Sequence, residues 1–264
     1  MRHLFVIQCC KYEPAKALGE LINRISPVTN GVQNWDVFYA YDTNSTESPL
    51  LSTLPNSKGF TIGYYTTDQG LSHLLLWEYL GDSSYYDYYH IISESDLPFK
   101  GIYRVDDLVK NFDAYGFINK SGFIRKSIAF YGLSRKVVEW ISRHVDLLTH
   151  GLIDVWLQYK HTSKLTGGPD EYMIGYLLSK IEALFNFRNE SLRLVYFPDP
   201  ATGYVKSTDN VLIELVGKLS PCQSSPVILE LTPSNKHAFE NEDILFGRKF
   251  EFESETYNYF TKSI

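Results

Sequence analysis

The chain has little cysteine, little methionine and no excess of positive charge. Three cysteines (Cys9, Cys10 and Cys222) among 264 residues cannot build a disulfide framework. No CxxC and no Cys/His cluster has zinc spacing. Lys+Arg is 25 against Asp+Glu 31, a formal charge of −6, which argues against a dedicated nucleic-acid binder. No run approaches the roughly 20 apolar residues of a membrane span. The opening MRHLFVIQCCKYEPAK follows its short apolar run at once with Lys11 and Glu13, unlike a secretory leader, so a reducing, cytoplasmic setting is expected. No P-loop or Rossmann glycine pattern occurs, since Gly167-Gly168 precedes a helix but matches neither. His90, His144 and His161 are scattered, and no Ser/His/Asp set has motif context for a hydrolase.

What is abundant is aromatic: 20 Tyr and 16 Phe. Tyrosine offers an apolar face and a polar tip that suit sugar rings and nucleobases, though much of this count serves an ordinary core. Charged residues at 21% and hydrophobic residues at 44% describe a folded globular chain.

Periodicity predicts alternating elements. His3–Cys10 reads as a buried strand and Pro14–Ile25 as a helix with Pro in its first turn, closed by Ser26-Pro27. Strands are predicted at Trp35–Tyr41, Phe60–Tyr65 and Tyr86–Ile92, with a helix at Gln69–Leu80. Asp42-Thr-Asn-Ser reads as a turn or cap. Further on, Asp106–Phe112 reads as a short helix and Ala129–Leu133 as a strand. Ser134 caps a helix over Arg135–His144, and Pro169–Leu184 is a helix with Asp170 and Glu171 in its first turn. Leu192–Phe197 and Val211–Val216 read as strands, 198–206 as a loop, and Ile244–Phe250 as the last element. The pattern is α/β: a mostly parallel central sheet flanked by helices, in a single domain over 1–264. Ligands in such sheets bind beyond the carboxyl ends of the strands, where Asp42 and Ser93–Asp96 fall.

Four segments, in order, resemble the core-2/I-branching glycosyltransferase family (glycosyltransferase family 14), which includes the peptide xylosyltransferases. YDYYHIISESDLPF at Tyr86–Phe99 is similar to its aromatic strand and Glu-Ser-Asp turn. SIAFYGLSRKVVEWI at Ser127–Ile141 is similar to its Leu-Ser-Arg strand end, GPDE at Gly168–Glu171 to its Ser-Pro-Asp-Glu helix start, and LFGRKF at Leu245–Phe250 to its Phe-Ala-Arg-Lys-Phe signature. The resemblance implies a GT-A type nucleotide-sugar-binding fold. Residues 1–100 or so would form the nucleotide-sugar half, and 101–264 the acceptor and catalytic half. It also implies inverting transfer from a UDP-sugar to a hydroxyl, without metal.

On that resemblance each residue has an implied role beside its ordinary one. Glu171 is the expected general base, against a plain helix-start carboxylate. Arg248 and Lys249 are expected at the departing diphosphate, where one contact at 4 Å is worth about 4 kcal/mol at an effective dielectric near 20. A second basic residue used by the family has no counterpart near Pro226–Glu230, which leaves Lys206, Lys218 and Lys236 open. Asp42 is expected to accept from uracil or ribose, Tyr64 or Tyr65 to flank the base, and Ile7 and Gln8 to wall it. Acceptor contacts are expected from Glu94, Asp96, Arg135, Asp170 and Tyr196. Leu194 stands where the mammalian members carry Trp, and Asp106 and Asp107 either bind sugar hydroxyls or start a helix. Glu94 and Asp96 also match a DxD-like turn for Mg²⁺ or Mn²⁺, the metal-bound alternative.

The expected donor is UDP-N-acetylglucosamine, with xylosyl or hexosyl donors as alternatives. The expected partners are a glycan or lipid-linked oligosaccharide acceptor, no nucleic acid, and at most peripheral membrane contact. Two rival readings are a catalytically silent sugar- or nucleotide-binding module on the same fold and a metal-dependent nucleotidyltransferase. Lys11 alone in CCKYEP makes a poor phosphate loop for the latter.

Overall fold

The computed structural model describes residues 1–61, 69–83, 85–119, 125–162, 169–190 and 192–194. Near the C-terminus it describes 197–198, 205–206, 212–213, 242, 245–247, 252, 257–258 and 261–262. Seven strands form the central sheet: β1 His3–Cys9, β2 Trp35–Asp42, β3 Ser57–Phe60, β4 Tyr88–Ser93, β5 Ala114–Asn119, β6 Lys126–Ser134 and β7 Phe187–Arg188. Their spatial order is β3-β2-β1-β4-β6-β5-β7. β1 pairs in parallel with β2 and β4, β2 with β3, and β5 with β7, while β6 is antiparallel to both β4 and β5. Only β6 therefore runs against the rest, and the expected mostly parallel α/β sheet is what forms.

Both faces of the sheet are covered, which is why β1 is buried at all seven positions and reads as a near-continuous apolar run. Alternation sorts its side chains. Phe5, Ile7 and Cys9 face a core shared with α1 (Tyr12–Ile25), through Leu18 and Ile22, and with Phe246. Leu4 and Val6 face the other core. That side is built by α2 (Gln69–Gly81), α3 (Arg135–Arg143), α4 (Val145–His161) and α5 (Pro169–Leu184), through Leu74, Trp77, Val137, Leu152, Met173 and Ile174. α1 buries Ala15, Leu18, Leu21, Ile22 and Ile25 at helical spacing. It stops at Ser26, whose Oγ accepts the Trp35 amide at 2.9 Å and so ties the helix end to the start of β2.

Several boundaries differ from the sequence reading. A third strand forms at Ser57–Phe60, meeting the expected Phe60–Tyr65 at Phe60; residues 62–68 lie outside the described residues. In the Leu192–Phe197 run, Arg193–Leu194 and Phe197–Pro198 are strands, and residues 195–196 lie outside the described residues. In the 198–206 stretch, Val205–Lys206 is a strand, pairing antiparallel with Phe197–Pro198 and with Leu212–Ile213. Ser134 occupies the N-cap position of α3, but its side chain makes no capping bond. Unforeseen elements include β5, β7, α4, a one-turn helix at Ser48–Leu51 and a hairpin joining Val28–Thr29 to Val32–Gln33. The hairpin turns on Asn30 and Gly31 at φ 52° and 77°, the left-handed pair that a two-residue hairpin turn demands.

Candidate functional site

In an open parallel sheet the ligand crevice forms where consecutive strands depart to opposite sides of a shared neighbour. Here β1 leads through α1 to β2 on one side, and β4 lies on the other. The crevice is therefore at the carboxyl ends of β1 and β4, where Gln8 pairs in register with Ala40 on β2 and Ser93 on β4.

The turn after β1 is held by two carboxylates. Glu94 Oε2 accepts the Cys10 amide at 2.5 Å and the Lys11 amide at 3.2 Å, and its Oε1 accepts the Cys10 thiol at 3.1 Å. Glu47 Oε2 accepts the Tyr12 amide at 2.6 Å. The leading amides of α1, which elsewhere in α/β folds receive phosphate, are thus taken by the protein's own side chains. Burial pushes the Glu94 carboxyl up, against the pull of the thiol and amide hydrogen bonds.

Asp42, buried at the end of β2, shapes the adjoining turn. Its Oδ1 accepts the Asn44 amide at 2.9 Å and its carbonyl accepts the Ser45 amide at 3.0 Å, so the turn foreseen there is present. Ser45 Oγ in turn donates to the Cys10 carbonyl at 3.1 Å, joining the β2 turn to the β1 turn. Gln8 is 5% exposed, and its amide contacts His73 Nε2 on α2.

Glu171 and Asp170 reach the same edge by a different route. β3 ends at the carboxyl edge, and the chain re-enters α2 at Gln69-Gly70. A Cβ on Gly70 would collide with the Met173 side chain, so only glycine lets the starts of α2 and α5 touch. The first turn of α5, carrying Asp170 and Glu171 half-buried, consequently stands at the carboxyl edge beside the start of α2. Two helix N-termini converge there, and each favours negative charge.

The C-terminal signature segment approaches the same edge. Phe246 pairs with Pro98 and Gly247 with Leu97 in antiparallel register, and the Phe99 amide donates to the Leu245 carbonyl at 2.8 Å. Leu97 lies three residues beyond Glu94, so Gly247 pairs with the chain just past the Glu94–Asp96 turn. Arg248 and Lys249 lie outside the described residues, as do Tyr64, Tyr65, Tyr196, Lys218 and Lys236. Leu194 and Lys206 are placed by backbone only: Leu194 pairs with Gly247, and Lys206 with Phe197 and Leu212.

Other expected residues are placed elsewhere or given other work. Arg135 follows the end of β6, which runs backwards, and so sits at the amino edge of the sheet. There it donates to Asp87 Oδ1 at 2.7 Å and to the Tyr86 carbonyl at 2.8 Å. Ile7 is fully buried in the core toward α1 and walls no crevice. Asp96 is fully buried, and its Oδ2 accepts the Ser93 amide at 2.8 Å, closing the turn. Asp106 and Asp107 start the short helix Val105–Val109, engaging His3 Nε2 at 2.6 Å and Lys110 Nζ at 2.8 Å respectively.

Both Glu94 oxygens and one Asp96 oxygen are already hydrogen-bonded by the chain, and no group of three His, Cys, Asp or Glu with metal-binding geometry occurs among the described residues. No described helix is long and apolar enough to cross a membrane.

The sequence reading missed His73, Trp77, Tyr131 and Glu47. A histidine and a tryptophan four apart in the apolar helix QGLSHLLLWEYL share one face, and that pairing was the available signal. His90, one of the histidines read as scattered, forms a buried pair with His3, His3 Nδ1 to His90 Nε2 at 2.9 Å.

No family model matches this chain, and no curated protein matches it. Among solved structures it is similar to a glycosyltransferase involved in the glycosylation of the major capsid of PBCV-1, at 6% identity over 100% of both chains with a TM-score of 0.47. It is also similar to the galactosyltransferase LgtC in complex with donor and acceptor sugar analogs, at 11% identity over 100% of this chain and 96% of that one, TM-score 0.49. A third likeness is to CMP:2-keto-3-deoxy-manno-octonic acid synthetase complexed with CTP, at 10% identity over 71% and 88% of the two chains, TM-score 0.39. Scores below 0.5 at such identities establish neither family nor activity.

Proposed function

We propose that the chain is a GT-A type inverting glycosyltransferase. It moves a sugar, N-acetylglucosamine in the first instance, from a UDP-sugar to a hydroxyl of a glycan acceptor, forming a β-linkage without a metal ion. One observation carries the reading. Gln8, Asp42, the Glu94 turn, Gly247 and the first turn of α5 lie toward the carboxyl edge of one parallel sheet, which supports this reading.

Glu171 takes the proton of the acceptor hydroxyl as its oxygen attacks the anomeric carbon. The new C–O bond forms on the face opposite the diphosphate. The old glycosidic C–O bond breaks there, with its electron pair leaving on the β-phosphate oxygen. A positioned base of this kind is typically worth about 10²–10⁴ in rate. Lys249, with Arg248, supplies the fixed positive charge that the leaving diphosphate requires. The amides at the start of α1 are already capped by Glu94 and Glu47, so the diphosphate is assigned to these cations instead. Asp42 accepts from the nucleobase. Asp170 and Tyr196 carry the acceptor contacts, because the Glu94, Asp96 and Arg135 side chains are committed to holding the backbone.

A thermal-shift screen of nucleotide sugars, each with and without EDTA, tests this. UDP-sugars are expected to stabilise the chain equally in both conditions, by about 2.7 kcal/mol at a hundred times the Kd. No response to any nucleotide sugar, or a response that vanishes in EDTA and returns with Mn²⁺, overturns the reading or its metal-free part respectively.

A further inference from the structure

Between α4 and α5 lies a cavity of about 690 Å³, within the roughly 300–1,000 Å³ of ordinary ligand pockets. It is lined by both signs of charge: Asp154 on α4, Glu182 and Lys180 on α5, and Arg125 just before β6. Two carboxylates against two cations leave no net charge, which disfavours a phosphate or any other strongly charged ligand. Arg125 donates to Glu182 Oε2 at 2.9 Å, so these two are paired. Other polar groups of the lining are uncommitted. The Asp154 carboxylate, the Gln158 amide and the Tyr176 hydroxyl make no hydrogen bond among the described residues, and Lys180 lies over the Tyr176 ring, 5.1 Å from its centre.

The tyrosine is seated by a residue that weakens its own helix. Gly151 stands inside α4, where glycine costs about 1 kcal/mol relative to alanine. A Cβ there would collide with the Tyr176 hydroxyl, so glycine is what lets the phenol lie across α4 at the cavity. The ring is only half-buried and keeps part of its surface for a ligand.

We propose that this cavity is a second binding site, which holds a neutral oligosaccharide. A sugar hydroxyl both donates and accepts, so carboxylate, amide, phenol and ammonium all serve it. The C–H face of a sugar ring is apolar and seats on an aromatic face. A lining of mixed polarity and no net charge around a partly exposed tyrosine meets these needs together. The site is separate from the carboxyl edge: Tyr176 follows Glu171 by five residues, about 7.5 Å along the helix axis, and Lys180 and Glu182 lie further still. It anchors a sugar chain and does no chemistry on it. Binding here is independent of the proposed transfer; only the role of the bound chain as the far part of the acceptor rests on that reading.

Saturation-transfer difference NMR of the whole chain, without nucleotide, tests this with cellohexaose, maltohexaose, xylohexaose and chitohexaose as probes. At least one of these neutral chains is expected to bind. Asp154→Ala, at an exposed position that the fold does not need, is expected to weaken that binding by about 5-fold, the share of one or two hydrogen bonds. Tyr176→Ala is expected to weaken it by about 10-fold or more, through loss of the aromatic face. Gly151→Ala favours the helix yet displaces the phenol, and is expected to weaken binding with the helical circular dichroism retained. No binding by any of the four probes, or binding that Asp154→Ala and Tyr176→Ala leave unchanged, overturns the inference with the transfer reading intact. A chain that responds to no nucleotide sugar but still binds an oligosaccharide through Tyr176 loses the transfer reading and keeps this site.

Discussion

Glu94, just beyond β4, holds the amides of Cys10 and Lys11, which lead into α1, with its Oε2 2.5 Å from the Cys10 nitrogen. A buried carboxylate whose acceptors are used in this way ties the turn that leads into α1 to the end of β4.

Removing that carboxylate takes its acceptors from two amides and a thiol. Glu94→Ala is expected to cost about 1–3 kcal/mol, the penalty of leaving buried donors unsatisfied. Glu94→Gln, which keeps one carbonyl acceptor and loses a charge that burial disfavours, is expected to cost less than half as much. Urea denaturation gives both values. The Cys10 thiol also loses its Oε1 acceptor, so alkylation of Cys10 is expected to quicken in the alanine variant. Equal stability of both variants with wild type would mean that the clasp contributes nothing.

The close approach of α2 and α5 is a second dependence of the site on packing. Gly70→Ala drives a methyl into Met173, and overpacking of this kind typically costs about 1–3 kcal/mol. Met173→Ala makes room but leaves a cavity of its own. In the double variant the two effects are expected to be less than additive, and a double-mutant cycle measures the coupling. Because Glu171 rides on the same turn, Gly70→Ala is further expected to lower turnover more than its stability loss explains.

Much of this was readable beforehand, for identifiable reasons. α5 was predicted at its exact limits because Pro169 marks its start and a 3.6-residue apolar stripe runs to Leu184. β1 was plain because a strand covered on both faces is continuously apolar. α4 was not, since only His144 separates it from α3 and Gly151 interrupts its pattern; tertiary packing, with Tyr176 lying over that glycine, favours the helix despite it. Arg135 was misplaced for a topological reason. A motif at a strand end points to a site only if the strand runs with its neighbours, and β6 does not. Glu94 was located at the correct edge, but no local pattern reveals that its oxygens are taken by amides 83 and 84 residues away.

The role of Glu171 separates chemistry from binding. Glu171→Gln keeps the shape of the side chain and removes its ability to take a proton. UDP-sugar turnover is expected to fall by about 10²-fold or more, the usual value of a general base, while UDP affinity stays within a factor of two. Steady-state kinetics beside calorimetry check this. Near-normal turnover removes Glu171 from the mechanism, and a matched loss of affinity makes it a binding residue.

Acid stability follows from the two buried imidazoles. His73 is pushed down to about 3 and His90 well below its ordinary value, both mainly by burial, with His3 adding to the effect at His90. Between about pH 6.5 and the folded values, the unfolded chain binds protons that the folded chain refuses. Stability therefore rises with pH in this window and is lost as pH falls through 6.5. His73 alone removes on the order of 3 kcal/mol by pH 4, at 1.36 kcal/mol per pKa unit. Glu94 works in the opposite sense, because its raised carboxyl takes up a proton in the folded state first. Asp106, held low first by its hydrogen bond to His3, adds a loss only at the acid end of the range. The net expectation is a urea midpoint that drops steeply between pH 6.5 and pH 4.5. His73→Asn, less stable at pH 7, is expected to show a shallower drop, and a slope equal to that of wild type would mean that His73 is not the group that refuses the proton.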